Sequence, residues 1–243
     1  DSLPSRGLGD VYKRQGAGAD NDLFNIASGG AITFKSAPDF ETPLGGASNN
    51  SNTYEITVNV NDGTTDVVQA HTIAVINVNE APVITNGDTD TANFVENATS
   101  TAIDVAHSDV DSGDSIAYTL TGSVDDGLFN IVEGTGVITF KSAPDFETPL
   151  GGSGDNSNDY VIQVTATDGG SLTDTQTITI SVTNVSDNNP VFTTSAFTNV
   201  QENQTVAGTA AATDADGSSL TFTLTGAGAD NDLFNIASGG AIT

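Results

Sequence analysis

The stretch GAGADNDLFNIASGGAIT occurs twice without a change, at residues 16–33 and 226–243. The offset is 210 residues (226 less 16), and a middle copy halves it: LFNI at 23–26 returns at 128–131, 105 along. FKSAPDFETPLGG at 34–46 returns at 140–152, now 106 along. Self-similarity at this length describes an array of whole domains, because solenoid repeats run only ~20 to 50 residues. The period divides the chain into the later part of one domain (residues 16–79), one complete domain (80–187) and the earlier part of a third (188–243). Neither flanking part supplies both layers of a core, so residues near 80–187 are the expected independent folding unit.

The complete unit reads as all-β. In DYVIQVTAT, Tyr160, Ile162, Val164 and Ala166 alternate with Val161, Gln163, Thr165 and Thr167, which is the period of a strand with one buried face. TQTITISVTNV repeats the pattern through Ile178, Ile180 and Val182. Shorter strand segments precede these around ANFVEN, TAIDVAH, SIAYTLTG, LFNIV and GVITF. Seven short strands split by Gly and Asp turns predict tandem seven-stranded Greek-key β-sandwiches, immunoglobulin-like in class. Phe129, Phe140, Tyr118 and Tyr160 fall in the strand pattern and are assigned to the core.

Residues 1–15 stand apart. They hold three of the five basic residues (Arg6, Lys13, Arg14) against Asp1 and Asp10, a net of +1, which leaves −28 on residues 16–243 from a total of −27. The segment resembles translated adapter sequence and is kept out of the fold reading. The acid excess argues against a nucleic-acid partner, since that affinity comes from neutralising phosphates with Lys and Arg. The absence of Cys excludes disulfide scaffolds, thiolate metal sites and cysteine nucleophiles. No run approaches the ~18 to 20 apolar residues of a membrane span. No nucleophile elbow or phosphate loop occurs, and an enzyme is not expected.

Of the 32 acidic residues, 25 are Asp, the carboxylate of turns and short-reach metal cages. They gather at strand ends and linkers. Glu96 lies in FVEN; Asp109 and Asp111 in HSDVDSG; Asp214 and Asp216 in ATDADG; Asp145 and Glu147 in SAPDFE, matched by Asp39 and Glu41 one unit earlier. Asp168 ends a strand in VTATDGG, matched by Asp62. The linkers read NVNEAPVI and NVSDNNPVF. In order and spacing these motifs resemble the cadherin repeat in its bacterial form: an xEN, a DxD, an acid-rich DxE, an AxDxG and an NDNxP linker, covering residues 16–243.

The resemblance implies Ca²⁺ ions at each join between domains, three in the family's usual pattern. Carried over by motif, one join would use Asp39, Glu41, Asn79, Glu80, Asp109, Asp111 and Asp168. The next would use Glu96, Asp145, Glu147, Asp187, Asn188, Asp214 and Asp216. Three departures leave two ions per join open beside three: NVNEAP lacks the second Asn of NDNxP, Asn77 and Asn184 replace the usual Asp at the start of each linker, and Ser186 replaces an Asn. The chemistry suits Ca²⁺, which takes about 6 to 8 oxygen ligands of mixed type. Carboxylates converging without a cation repel, so the linkers are expected to be flexible without Ca²⁺ and stiff with it.

The resemblance further implies an extracellular or cell-surface setting and an adhesion role. Partners would be cadherin-like repeats of the same or another chain, or a cell-surface protein. A stalk that only positions another domain is the competing reading, and both stay open at this stage. An EF-hand at Asp109 fails, because Asp114 stands where Gly is needed and Leu120 where the bidentate Glu belongs. GGSGDNSND at 151–159 is read as a loop, and His71 and His107 as ordinary strand-edge residues.

Overall fold

The computed structural model describes residues 12–14, 19–46, 50–85, 89–151, 157–197, 199–226, 228 and 230–243. The chain divides into two compact units, Asp1–Ala81 with Asp109–Asp114, and Pro82–Ser108 with Ser115–Thr243. Most of the 151–159 loop lies outside the described residues.

In the first unit, β1 (Tyr12–Arg14), β4 (Thr53–Asn61) and β5 (Asp66–Ala74) form a sheet in the order β1-β4-β5, and β2 (Phe24–Ile26) pairs with β3 (Ile32–Phe34). Phe24, Tyr54 and Ile56 are buried, with Leu23, Ile32, Phe34, Val58, Ile73 and Val75 packed against them. The sequence reading set residues 1–15 outside the fold, yet β1 pairs antiparallel with β4, Tyr12 opposite Val60. An open strand edge presents unpaired backbone groups to any extended segment within reach, whatever its composition.

The second unit opens with β6 (Val83–Ile84), β7 (Thr89–Val95), β8 (Thr101–Asp104) and β9 (His107–Ser108). Next come β10 (Ala117–Leu120), β11 (Phe129–Ile131), β12 (Val137–Phe140), β13 (Asp159–Thr167) and β14 (Thr173–Thr183). Two sheets result, β10-β13-β14-β7 and β11-β12-β8, with β6 paired to β9. This is the sandwich expected from the alternation. The seven expected strands are all present, and β6–β9 is an added two-residue pairing. The first and last strands, β7 and β14, run parallel, with Thr177 opposite Thr89 and Thr183 opposite Val95.

Burial follows the pattern residue by residue. Tyr160, Ile162, Val164 and Ala166 on β13, and Ile178, Ile180 and Val182 on β14, are all core. Their intervening neighbours are half-buried. Phe129, Phe140 and Tyr160 pack at ring-centroid distances of 4.3, 5.2 and 6.0 Å. Phe24, Phe34 and Tyr54 repeat that triad at 4.3, 5.1 and 5.9 Å. Such aromatic pairs add about 0.5 to 1.5 kcal/mol each beyond their buried area.

Two carboxylates outside the metal motifs finish the sheet edge. Val161 N–H donates to Asp125 (2.8 Å) and Gln163 N–H to Asp126 (3.0 Å), where β13 runs past the end of β10. Asp20 takes the same role, accepting from Glu55 N–H at 2.6 Å. Residues 190–243 add β15 (Val191–Phe192), β16 (Gly208–Thr209), β17 (Ala212–Thr213) and β18 (Ala241–Ile242), paired β15-β17 and β16-β18. Among the described residues, no helix is long and apolar enough to cross a membrane.

Candidate metal centre

Short Asp side chains order the acidic loops before any cluster forms. Asp39 Oδ1 accepts from the N–H groups of Glu41 and Thr42, both at 2.9 Å. Asp145 Oδ1 does the same for Glu147 (3.0 Å) and Thr148 (2.9 Å). In each DxD, the first Asp accepts from the N–H two residues on: Asp109 from Asp111 at 2.9 Å, and Asp214 from Asp216 at 3.0 Å. These are Asx turns, and they spend one carboxylate oxygen on local backbone. The hydrogen bonds from Thr42 and Thr148 hold Asp39 and Asp145 below the usual carboxylate range.

In the first unit this brings Glu41, Glu80 and Asp111 together, their nearest carboxylate oxygens within 4.8 Å of one another. Asp111 is buried; it accepts from Asn77 Nδ2 at 2.6 Å and from Glu80 N–H at 2.8 Å, which lowers its pKa. Glu80 is pushed the other way, first by desolvation and then by Glu41, Asp111, Asp39 and Asp109. Asn79 Nδ2 donates to the Glu80 carbonyl at 3.2 Å, outside the three-carboxylate group. Asp109 Oδ2 is buried and has no hydrogen-bond partner. In the second unit, Asp168 is buried at the end of β13, where its carboxylate accepts from Leu172 N–H at 2.7 Å.

Glu96, Glu147 and Asp187 form the corresponding group in the second unit, again within 4.8 Å. Glu96 is 3% exposed and ties two chain segments, accepting from Val185 N–H at 2.6 Å and Phe146 N–H at 2.7 Å. Asn188 Nδ2 bridges Asp187 (2.7 Å), Asp216 (3.0 Å) and Glu147 (3.1 Å), and its N–H donates to Asp216 Oδ2 at 2.9 Å. That lowers Asp216, chiefly through the Asn188 side chain. Glu147 is raised by desolvation, then by Glu96, Asp216 and Asp187, and its Oε1 is buried without a partner.

The donor set is all oxygen and anionic. Lys141, near in sequence, turns away to the Gly127 carbonyl at 2.6 Å. Buried carboxylate oxygens lacking a donor, beside groups whose ionisation their neighbours oppose, fit a hard cation such as Ca²⁺ or Mg²⁺. Sequence reasoning did not find three amides that steady the clusters: Asn77 on Asp111, Asn97 on Asp187, and Asn184 on the Asp216 carbonyl. The Asn of the xEN motif was the available signal for Asn97.

Comparison with known proteins bears on the fold and its kin. A family model described as "Bacterial Ig domain" matches residues 79–181. Mouse protocadherin Fat 4 is 32% identical over 128 residues, 50% of this chain and 2% of that protein. Human protocadherin-15 is 38% identical over 81 residues, 33% of this chain and 4% of that protein. The chain thus spans a small part of the length of the curated relatives it matches. Among solved structures, mouse cadherin-23 EC22-24 aligns with a TM-score of 0.65 at 22% identity, over 99% of this chain and 77% of that one. The protocadherin gammaB7 EC3-6 cis-dimer structure aligns at 0.68 and 18% identity, over 96% of this chain and 59% of that one.

Proposed function

We propose that the chain is built of cadherin-type repeats and is a Ca²⁺-dependent, non-enzymatic adhesion module of a larger extracellular or cell-surface protein. One observation carries this: in two separate units, three carboxylates from distant parts of the sequence converge within 4.8 Å. Each set includes or adjoins a buried oxygen with no donor, on Glu147 in one and Asp109 in the other. Glu41, Glu80 and Asp111, with Asp39, Asn79 and Asp109 around them, would hold ions at one set. Glu96, Glu147 and Asp187, with Asp145, Asn188, Asp214 and Asp216, would hold them at the other.

Bound Ca²⁺ supplies positive charge that offsets the carboxylate repulsion. The chain's own residues then fix where the linkers lie. Glu96 anchors the backbone at Val185, and Asn188 joins the linker to the Asp216 loop. Stiffened linkers hold successive repeats in place to meet repeats of another chain. The unchanged 18-residue copies at 16–33 and 226–243 favour a second role, a calcium-stiffened spacer, because a spacer needs the same surface in every unit.

The test is a thermal melt of the chain with Ca²⁺ and with EDTA. A cation that binds only the native state stabilises by RT ln(1 + [L]/Kd), about 2.7 kcal/mol at 100 Kd. A melting temperature that does not change sinks the reading. Ca²⁺-dependent aggregation of chain-coated beads supports adhesion; a Ca²⁺-dependent melt without aggregation supports the spacer.

A further inference from the structure

Given the cation reading above, on which this depends, we infer that Asn97, not itself a proposed ligand, sets how tightly the Glu96, Glu147 and Asp187 group holds Ca²⁺. It does so by fixing the carboxylate of Asp187 in place. The three carboxylates are not held alike. Glu96 is buried and accepts backbone hydrogen bonds from Val185 and Phe146. Glu147 stands on a loop whose turn Asp145 closes. Asp187 is exposed and lies in the linker between β14 and β15, outside any strand. A ligand on such a segment keeps its place through what its own side chain touches.

Both Asp187 oxygens meet amides. Oδ1 accepts from Asn188 Nδ2 at 2.7 Å, and Oδ2 accepts from Asn97 Nδ2 at 2.5 Å. Asn188 is the next residue of the same linker, so it does not fix Asp187 from outside; Asn97 does. The backbone makes Asn97 a firm support. It stands just past the end of β7 with φ of +62°, and its N–H donates to the Pro144 carbonyl at 2.9 Å. Asn enters the left-handed region more readily than most side chains that carry a Cβ. Asn203, which follows Glu202 in the next repeat, has φ of +68°, so the turn recurs with the Glu-Asn pair. Asn97 thus joins three segments: β7 through the chain, the Pro144 loop through its N–H, and the linker through its side chain.

The chemistry suits an amide at this position. A neutral N–H donor orients a carboxylate without cancelling its charge, and each carboxylate oxygen keeps a lone pair for a cation. A Lys there would compete with the ion as a positive charge, and a carboxylate would repel Asp187. Removing a hydrogen-bond partner that orients a metal ligand costs about 10- to 100-fold in affinity. The Asn97–Asp187 bond is exposed, which puts the expected loss at the lower end, about tenfold.

Ca²⁺ titration of the full chain, followed by the backbone amide resonances in NMR, tests this group by group. The Val185 and Asn188 amides report the group beside Asn97, and the Glu80 amide, which donates to Asp111, reports the other. Asn97→Gly suits the left-handed backbone, keeps the Pro144 bond and deletes the side-chain amide. It should raise the half-saturating Ca²⁺ concentration about tenfold at Val185 and Asn188 and leave it unchanged at Glu80. Asp187→Ala should weaken binding through the remaining ligands, and adding Asn97→Gly to it should weaken binding no further. In EDTA, Asp187→Ala should shift the Asn97 side-chain amide resonances, a readout that needs no metal. An Asn97→Gly chain that loses its β-sheet circular dichroism is replaced by Asn97→Ala. An unchanged midpoint in Asn97→Gly overturns the inference. So does an equal rise at Glu80, an additive loss in the double variant, or an Asn97 side-chain resonance unmoved in EDTA. A parent whose Val185 and Asn188 amides ignore Ca²⁺ overturns the cation reading and this inference with it. A parent that titrates normally beside an unaffected Asn97→Gly overturns this inference alone.

Discussion

Glu96 and Glu147 sit in one cluster and should respond oppositely to removal. Glu96 is buried and accepts two backbone hydrogen bonds, from Val185 at 2.6 Å and Phe146 at 2.7 Å. Hydrogen bonds to a charged group contribute about 1.5 to 3 kcal/mol each, and deletion leaves both N–H groups without that acceptor. Glu96→Ala should therefore cost at least about 3 kcal/mol in EDTA. For a sandwich of this size that lowers the melting temperature by on the order of 10–20 °C. Glu147 offers a buried oxygen with no donor, and its ionisation is opposed by its neighbours. Glu147→Ala should leave the EDTA melt unchanged or raise it. Both variants should lose much of the Ca²⁺ increment. The assay is a pair of melts, EDTA and saturating Ca²⁺, on three proteins. Glu96→Ala melting with the parent in EDTA would refute the two-bond tie, and a full Ca²⁺ increment in both variants would refute the ligand assignment.

Ile162 is 0% exposed at the centre of the sandwich, so Ile162→Ala should cost about 2 to 5 kcal/mol by urea denaturation, with the slope unchanged. Gly136 has φ of +73°, and a Cβ there would lie 2.5 Å from the Val105 carbonyl oxygen. Gly136→Ala should cost more than the ~1 to 2 kcal/mol of the left-handed backbone alone, read by the same denaturation curve. pH should act in two senses in EDTA. Glu147 and Glu80 are raised above about 4.5, so repulsion weakens and stability rises as pH falls through their folded values. Asp39, Asp111, Asp145 and Asp216 are lowered below 3.8, so their contribution, present above that value, is lost as pH falls through their lower folded values. A melt series from pH 7 downward should show a maximum before the acid loss, and a monotonic fall would count against the raised glutamates.

The alternation in DYVIQVTAT fixes a face because a strand has a period of two and a sandwich buries one side. Tyr160, Ile162, Val164 and Ala166 obey it without exception. The parallel pairing of β7 with β14 left no such mark: ANFVEN alternates equally well beside either neighbour, and only the closed sandwich selects one. For the clusters, motif order located the carboxylates, since the repeat carries them at fixed offsets. What it could not give was the state of each oxygen. SAPDFE reads as two ligands, but Asp145 Oδ1 is taken by its own loop while Glu147 Oε1 is left without a donor. Asn184 read as a lost charge, whereas in the fold its amide holds the Asp216 carbonyl.

The acidic loops divide the work between carboxylates that bond their own backbone and carboxylates that face one another. Four Asp side chains act on their own turns: Asp39, Asp109, Asp145 and Asp214 each place one oxygen on a backbone N–H within three residues. Their charge is stabilised locally and shapes the loop whether or not a cation is near. Glu is one methylene longer and reaches past its turn, so Glu41, Glu80 and Glu147 carry charge into the cluster where little protein answers it. The local hydrogen bonds shape the loops, and the unanswered carboxylate oxygens, Asp109 Oδ2 and Glu147 Oε1 among them, are what a cation would relieve. Exchanging the types should separate shape from binding. Glu147→Asp keeps the charge but shortens the reach. It should weaken the Ca²⁺ response while leaving the EDTA melt near that of the parent.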